Sequence, residues 1–258
     1  MLLTVDAGNT ETTLGLFEDE DLVRTWRFAT QTARTPDELF VLFQAFLALE
    51  RMSFDRTVAE VAIASVVPRV TQSLREMVQR YLQFEPLIVG PGVRTGMPVL
   101  IDNPREVGAD RIMGAVAAYE IYGGPAIVID LGTATTFDAV SEGGEYLGGA
   151  IAPGPHTAAQ ALVAGAAQLE RVEFAPPRRL IGKSTAEALQ SGIVLGYASL
   201  IEGMVARFRT ELGAEARTVL TGGLADQISP NLSIVDEVDP WLVLRGLRIV
   251  TGRNRTPQ

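Results

Sequence analysis

Two stretches of the chain, 124 residues apart, repeat one short pattern. Near the start, Leu2-Leu3-Thr4-Val5 runs into Asp6-Ala7-Gly8-Asn9-Thr10. Later, Ile127-Val128-Ile129 runs into Asp130-Leu131-Gly132-Thr133-Ala134-Thr135. Each is a buried-strand run that delivers an Asp, then a Gly, then small hydroxyl residues. An offset near half of 258 residues predicts a duplicated architecture in which two Asp-Gly-Thr turns face each other. Strand-like runs at 2–5, 58–67, 87–89, 126–129 and 218–220 alternate with stretches of helical spacing, an α/β pattern with largely buried sheets. Thr35-Pro36-Asp37-Glu38 reads as a capping box with Pro at the first helical position, ahead of a stripe of Leu39, Leu42, Phe43, Phe46 and Leu47. Ser184-Thr185-Ala186-Glu187 opens a second, long helix reaching Phe208, weakened at Gly192 and Gly196, two positions that also suit close packing. No Ser- or Pro-rich linker separates the halves. A boundary at 104–107 gives lobes 1–107 and 108–258.

Composition removes several function classes. With no Cys there are no disulfides, thiolate nucleophiles, iron–sulfur clusters or zinc ribbons, and a lone His156 removes His-rich metal sites. Acidic residues outnumber basic ones 31 to 22, with no Lys/Arg run, so nucleic acid is not an expected partner. The carboxylate of Asp6 ends the first apolar run too early for a signal peptide. Uncharged apolar stretches fall short of the ~18–20 residues that cross a bilayer, so a soluble cytoplasmic protein is expected.

A strand ending in Asp-x-Gly-x-Thr suits a phosphate grip. Gly lets backbone N–H groups approach an anion, and Asn9, Thr10, Thr12 and Thr13 add short donors. An Asp beside phosphate oxygens must hold a cation, or the waters around one, between itself and them. Phosphoryl transfer is the chemistry that follows. Thr221-Gly222-Gly223 reads as an ordinary strand-to-helix turn, or as bare backbone on which a purine ring can lie. Gly182-Lys183-Ser184-Thr185 is not a P-loop, because Pro177 stands where the motif needs Gly. The Gly-rich stretch at 143–154 contains no dinucleotide fingerprint.

A second constellation is Asp102-Asn103-Pro104-Arg105-Glu106-Val107-Gly108-Ala109-Asp110-Arg111, a loop feeding a helix that turns Ile112, Met113, Val116 and Tyr119 inward. An Arg at a helix N-terminus is electrostatically odd. Two readings fit: an exposed ion pair of little energetic weight, or a base at Asp110 taking a proton from an acceptor hydroxyl while Arg111 binds a substrate anion.

Taken in order, Asp6-x-Gly8-Asn9-Thr10, Gly108-x-Asp110-Arg111 and Asp130-x-Gly132-Thr133-Ala134 resemble the type III pantothenate kinases. The likeness extends to Ser65-Val66-Val67-Pro68, Gly148-Gly149-Ala150-Ile151-Ala152-Pro153-Gly154, Glu187-Ala188-Leu189-Gln190-Ser191-Gly192 and Thr221-Gly222-Gly223. The resemblance implies duplicated actin-like (ribonuclease H-like) domains, with mixed sheets and flanking helices. It implies phosphorylation of pantothenate by ATP to 4′-phosphopantothenate, the first step of coenzyme A synthesis. Asp110 would be the general base, and Gly108, Ala109, Asp110 and Arg111 would bind pantothenate together with Thr185. Asp6, Ala7, Gly8, Asn9, Thr10, Glu11, Thr12, Thr13 and Thr133 would contact ATP. Asp130 would hold a monovalent cation, K+ or NH4+, and Asp6 a divalent ion such as Mg2+ through water. A homodimer is implied as well. The charge logic agrees: three carboxylates near a triphosphate need cations in a chain whose single Lys is Lys183. Ile101 departs from the aromatic that relatives place before Asp102-Asn103-Pro104, and His156, Trp26 and Trp241 read as structural. A non-enzymatic nucleotide-binding regulator has no need of Asp110, and other kinases or phosphatases of the superfamily usually carry insertions.

Overall fold

The structure, a computed structural model, describes residues 1–166 and 172–255. In chain order its elements are β1 (Leu2–Ala7), β2 (Glu11–Glu18), β3 (Asp21–Ala29), α1 (Pro36–Leu49), α2 (Phe54–Thr57), β4 (Glu60–Ser65), α3 (Pro68–Leu82) and β5 (Leu87–Ile88). Then come α4 (Ala109–Tyr122), β6 (Ala126–Leu131), β7 (Ala134–Val140), β8 (Tyr146–Pro153), α5 (Pro155–Gly165), α6 (Thr185–Gln190), α7 (Gly196–Leu212), β9 (Arg217–Thr221), α8 (Ala225–Ile228), β10 (Glu237–Val238) and α9 (Leu242–Asn254). The described residues pack as two compact units. Met1–Met97, Asp102–Ala117 and Leu242–Gln258 make the first; Pro98–Ile101 and Ala118–Trp241 make the second.

The repeat seen in the sequence is a repeat of topology. The first unit has a sheet in the order β3-β2-β1-β4-β5 and the second one in the order β8-β7-β6-β9-β10. In both, three antiparallel strands continue into parallel ones. β1 and β6 share one burial pattern, in which every residue is buried except the Asp in fifth place, Asp6 or Asp130. β2, β3, β7, β8 and β10 lie outside the strand-like runs of the sequence. Their residues mix polar and apolar types, as strands near a sheet edge do.

In the first unit, Leu3, Val5 and Ala7 of β1 join Leu14 and Leu16 of β2 in a core with Leu39, Phe43 and Leu47 of α1 and Leu74 and Met77 of α3. Each of the larger side chains contributes about 1.5–3 kcal/mol by leaving water. The opposite face is covered by α9, whose Leu244 lies where a Cβ on Gly15 would fall, within 2.9 Å. α9 also meets α4 at Gly246, where a Cβ would lie 2.0 Å from the Met113 carbonyl oxygen. The start of α4 and all of α9 therefore belong to the first unit by packing, whereas a division at 107/108 would separate them from their sheet.

α1 starts as its sequence predicts. Thr35 Oγ1 accepts from Glu38 N–H (3.3 Å), and Glu38 Oε2 accepts from Thr35 N–H (2.8 Å). Thr35→Ala is expected to cost about 1 kcal/mol, lowering Tm by roughly 2–4 °C for a chain of this size. Thr35→Ser should melt with the wild type, and calorimetry of the three proteins is the check.

In the second unit, Ile127, Ile129, Leu131 and Phe137 pack on Tyr197, Ile201 and Val205 of α7. The predicted long helix is interrupted: α6 and α7 are joined by a π-turn at Ser191–Leu195. A Cβ on Gly192 or Gly196 would meet nothing within 4 Å. These glycines therefore mark the wide turn and not a close helix contact. The whole stretch Thr185–Leu212 is long and apolar enough to cross a membrane by length and composition alone, unlike the expectation from uncharged runs. Its Tyr197, Ile201 and Val205 are core residues of this unit.

Candidate active site

In the first unit, β1 and β4 run parallel with Ala7 opposite Ser65. Their C-terminal ends deliver two loops side by side: Gly8-Asn9-Thr10 and Ser65-Val66-Val67. Val66 N–H donates to the Ala7 carbonyl (3.3 Å), joining them. Gly8 N–H closes the first turn on the Glu11 carbonyl (3.0 Å). Asn9, Thr10 and Glu11 are exposed at its tip, and Asp6 is half-buried at its root.

Alternation along the strands sorts the predicted ATP contacts into two sets. Ala7 and Thr12 stand opposite each other in the register, and Ala7 belongs to the core face with Leu3, Val5, Leu14 and Leu16. Thr12 is 1% exposed, and its hydroxyl is engaged with that of Thr30 at 2.8 Å. Asp6 and Thr13 pair on the other face.

The predicted acceptor loop lies in the same unit. Asn103 caps a short turn at Pro104–Glu106, accepting from Arg105 N–H (3.3 Å), and α4 follows. Asp110 is the second residue of α4, and its Oδ1 accepts from Arg111 N–H (2.8 Å). Gly108 lies close to the acceptor loop's carboxylate: a Cβ there would lie 2.3 Å from Asp110 Oδ1 and 3.5 Å from Val66 Cγ1, so any larger residue would displace that carboxylate. Gly108 thus lies against both the Asp110 carboxylate and Val66, which is bonded to the root of the first turn. Asp6, Gly8, Gly108, Asp110 and Arg111 occupy one unit, at the C-terminal ends of its parallel strands, where α/β sheets place their ligands.

The second unit carries Asp130, Thr133 and Thr185. Gly132 N–H closes the turn on the Ala134 carbonyl (3.0 Å). Thr133 is exposed, and its carbonyl is held from behind by Gly154 N–H (2.9 Å) and Thr157 Oγ1 (2.7 Å). A Cβ on Gly154 would fall 2.2 Å from the Gly132 carbonyl oxygen, so only Gly fits. Burial pushes the Tyr197 phenol up, so it stays protonated and donates to the Pro153 carbonyl (2.8 Å) just before this clamp. The clamp by Gly154 and Thr157 was not legible in the sequence; the Gly-Gly-x-Ile-x-Pro-Gly run was its only trace.

Gly222 has a larger part than an isolated turn would suggest. It sits at φ +95°, and a Cβ there would lie 2.4 Å from Asp130 Oδ1 and 2.6 Å from Leu131 N. Its bare backbone therefore packs directly against Asp130 and Leu131, and a side chain there would collide with both. No group of three or more His, Asp or Glu forms a ready-made metal cage among the described residues. Single carboxylates at Asp6 and Asp130 fit ions whose remaining ligands come from phosphates, water and backbone carbonyls.

Thr185 is the exposed first residue of α6, capped by Ser184, whose Oγ accepts from Glu187 N–H (3.2 Å). His156 is exposed with its ring tilted against Phe174 at 5.1 Å, beside a cavity of about 120 Å³ lined by Val163, Leu189 and Ile193. Trp26 stacks on Phe46, with centroids 6.0 Å apart, a packing role as expected.

The family model for type III pantothenate kinase matches residues 2–207. The type III pantothenate kinase of Streptomyces griseus is 52% identical over 98% of both chains. That of Moorella thermoacetica is 51% identical over 98% of this chain and 100% of its own. Among solved structures, the activator of 2-hydroxyisocaproyl-CoA dehydratase from Clostridium difficile, with bound ADPNP, superposes with a TM-score of 0.58 at 10% identity, covering 100% of this chain and 98% of that one. The inorganic polyphosphate/ATP-glucomannokinase of an Arthrobacter species gives 0.51 at 16%, covering 98% and 99%. The fold is therefore the duplicated actin-like one of mixed sheets with flanking helices, and the chain belongs to the type III pantothenate kinase family.

Proposed function

We propose that the chain transfers the γ-phosphoryl group of ATP to the hydroxyl of pantothenate, giving ADP and 4′-phosphopantothenate for coenzyme A synthesis. The observation that carries the reading is Gly108, which lies against both the Asp110 carboxylate and Val66, itself bonded to the root of the first Asp-Gly turn. A base and a phosphate-binding turn then belong to one compact unit, as phosphoryl transfer by positioning requires.

Asp110 takes the proton as the pantothenate oxygen attacks the γ-phosphorus, and the bond to the β,γ-bridging oxygen breaks with ADP leaving. Gly108 keeps the backbone clear of that carboxylate, and Arg111 meets the pantothenate carboxylate with a planar fork. Ala109 and Thr185 complete the acceptor contacts. The backbone of Ala7 and Gly8, with the backbone and side chains of Asn9, Thr10, Glu11 and Thr13 and with Thr133, holds ATP; Thr12 serves by fixing the turn against Thr30. Asp6, through water, would hold the divalent ion, and Asp130 the K+ or NH4+; these ions supply the positive charge that offsets the phosphates and carboxylates. The active protein is a homodimer in this reading.

The test is a coupled assay with ATP and pantothenate in matched potassium, ammonium and sodium salts. Turnover is expected in the first two and a loss of at least about tenfold in sodium, equivalent to 1.4 kcal/mol of barrier. Equal rates in all three would remove the cation role of Asp130. An absence of phosphorylated pantothenate in every salt would end the functional reading.

A further inference from the structure

The second unit buries a carboxylate that the proposed chemistry does not use. Asp138 is 1% exposed and Tyr146 fully buried. Tyr146 Oη donates to Asp138 Oδ1 at 2.6 Å, and Thr136 Oγ1 donates to Oδ2 at 3.1 Å. A carboxylate removed from water persists only with such charge-assisted bonds.

What Tyr146 does with its main chain gives the network a purpose. Its N–H donates to the Pro98 carbonyl (2.8 Å), and its carbonyl accepts from Leu100 N–H (2.8 Å). Val99 bridges to it in parallel fashion. Two residues on, Gly148 stands at φ +115°, and a Cβ there would lie 3.4 Å from Ile101 Cγ2. Pro98–Ile101 is thereby packed on the second unit, while the residues before it, ending at Met97, and after it, from Asp102, belong to the first. Ile101 runs directly into the stretch that carries Gly108, Asp110 and Arg111.

We propose that Asp138 is a positioning residue for acceptor binding: through the Tyr146 hydroxyl it fixes the four-residue tether Pro98–Ile101, and with it the upstream end of the acceptor loop. This rests on the reading of pantothenate as the phosphoryl acceptor.

Steady-state kinetics of the full chain test it, with Tyr146→Phe, Asp138→Asn and the double variant. Tyr146→Phe is expected to raise the pantothenate KM about tenfold, the worth of one charge-assisted hydrogen bond. Over the same series, kcat and the ATP KM stay within about twofold, the pattern of lost binding and not of lost chemistry. Asp138→Asn keeps an acceptor for the hydroxyl without its charge and should raise the pantothenate KM about threefold. The double variant should match Tyr146→Phe, because Asp138 acts through that hydroxyl. An unchanged pantothenate KM in Tyr146→Phe, or a loss shared equally with ATP, overturns the proposal. If Tyr146→Phe yields no folded protein, Asp138→Asn decides by the same criterion. A wild type that turns over no pantothenate ends the acceptor reading instead. The tether is then judged by Leu100 amide exchange, where faster exchange in Tyr146→Phe supports it and equal exchange overturns it.

Discussion

Asp110→Asn should lower kcat for pantothenate by about 10²–10⁴-fold, the usual contribution of a positioned general base. The substitution is nearly isosteric. The amide oxygen can still accept from Arg111 N–H, as Asp110 Oδ1 does at 2.8 Å, so the first turn of α4 keeps its shape. Gly108 tolerates the new side chain in the space it leaves for the old one. KM for both substrates and the melting temperature should therefore stay close to the wild type, and the loss should appear in kcat alone. Steady-state kinetics with a thermal melt of the same preparation make the comparison. Wild-type turnover would dismiss Asp110 as the base, whereas a matching fall in stability would reassign it to the fold.

Gly246→Ala should be the most damaging small substitution in the first unit. Gly246 lies within α9, so Ala carries no backbone penalty there. The new Cβ would lie 2.0 Å from the Met113 carbonyl oxygen, 2.6 Å from its carbon and 3.0 Å from its Cα. None of these atoms belongs to a side chain that could swing aside, so α4 and α9 must separate. Met113 and Leu247, both fully buried, would lose their packing together. A cost of about 3 kcal/mol or more is expected, the upper end for an overpacked core, lowering Tm by roughly 6–12 °C. Because Asp110 lies in the first turn of α4, activity should fall further than stability explains, even at temperatures where the variant is folded. Gly252→Ala is the control on the same helix. A Cβ there meets nothing within 4 Å, and the better helix former should add up to about 1 kcal/mol. Calorimetry of the two variants decides; a Gly246→Ala protein that melts with the wild type would contradict the close crossing.

The doubled Asp-x-Gly turn was legible because two things coincide in it. A fully buried strand leaves a continuous apolar run, and the residue that breaks the run must have a job. The shared burial pattern of β1 and β6, open only at Asp6 and Asp130, is the structural form of that signal. The capping box at Thr35 was equally plain, since both of its bonds are local. The antiparallel strands were not, because β3 and β8 keep much of their surface in solvent and mix residue types accordingly. Thr12 looked like a phosphate ligand by its neighbours; only the register, which sets it opposite Ala7, shows that it turns inward. Gly154, Gly222 and Gly246 each serve a backbone far away in sequence, and no local spacing records which one. Gly192 and Gly196 show the converse: helical spacing suggested a packing seam where the chain instead widens into a π-turn.

The first unit also has a consequence for synthesis. Its sheet is complete once β5 has been made, but the helix covering its second face is α9, residues Leu242–Asn254. A ribosome that has delivered the chain through Trp241 has released a finished set of strands with one apolar side still bare. Folding from the N-terminus onward, the usual course for multidomain chains, cannot close this unit first. The early half must wait, exposed to chaperones or to aggregation, until α9 emerges.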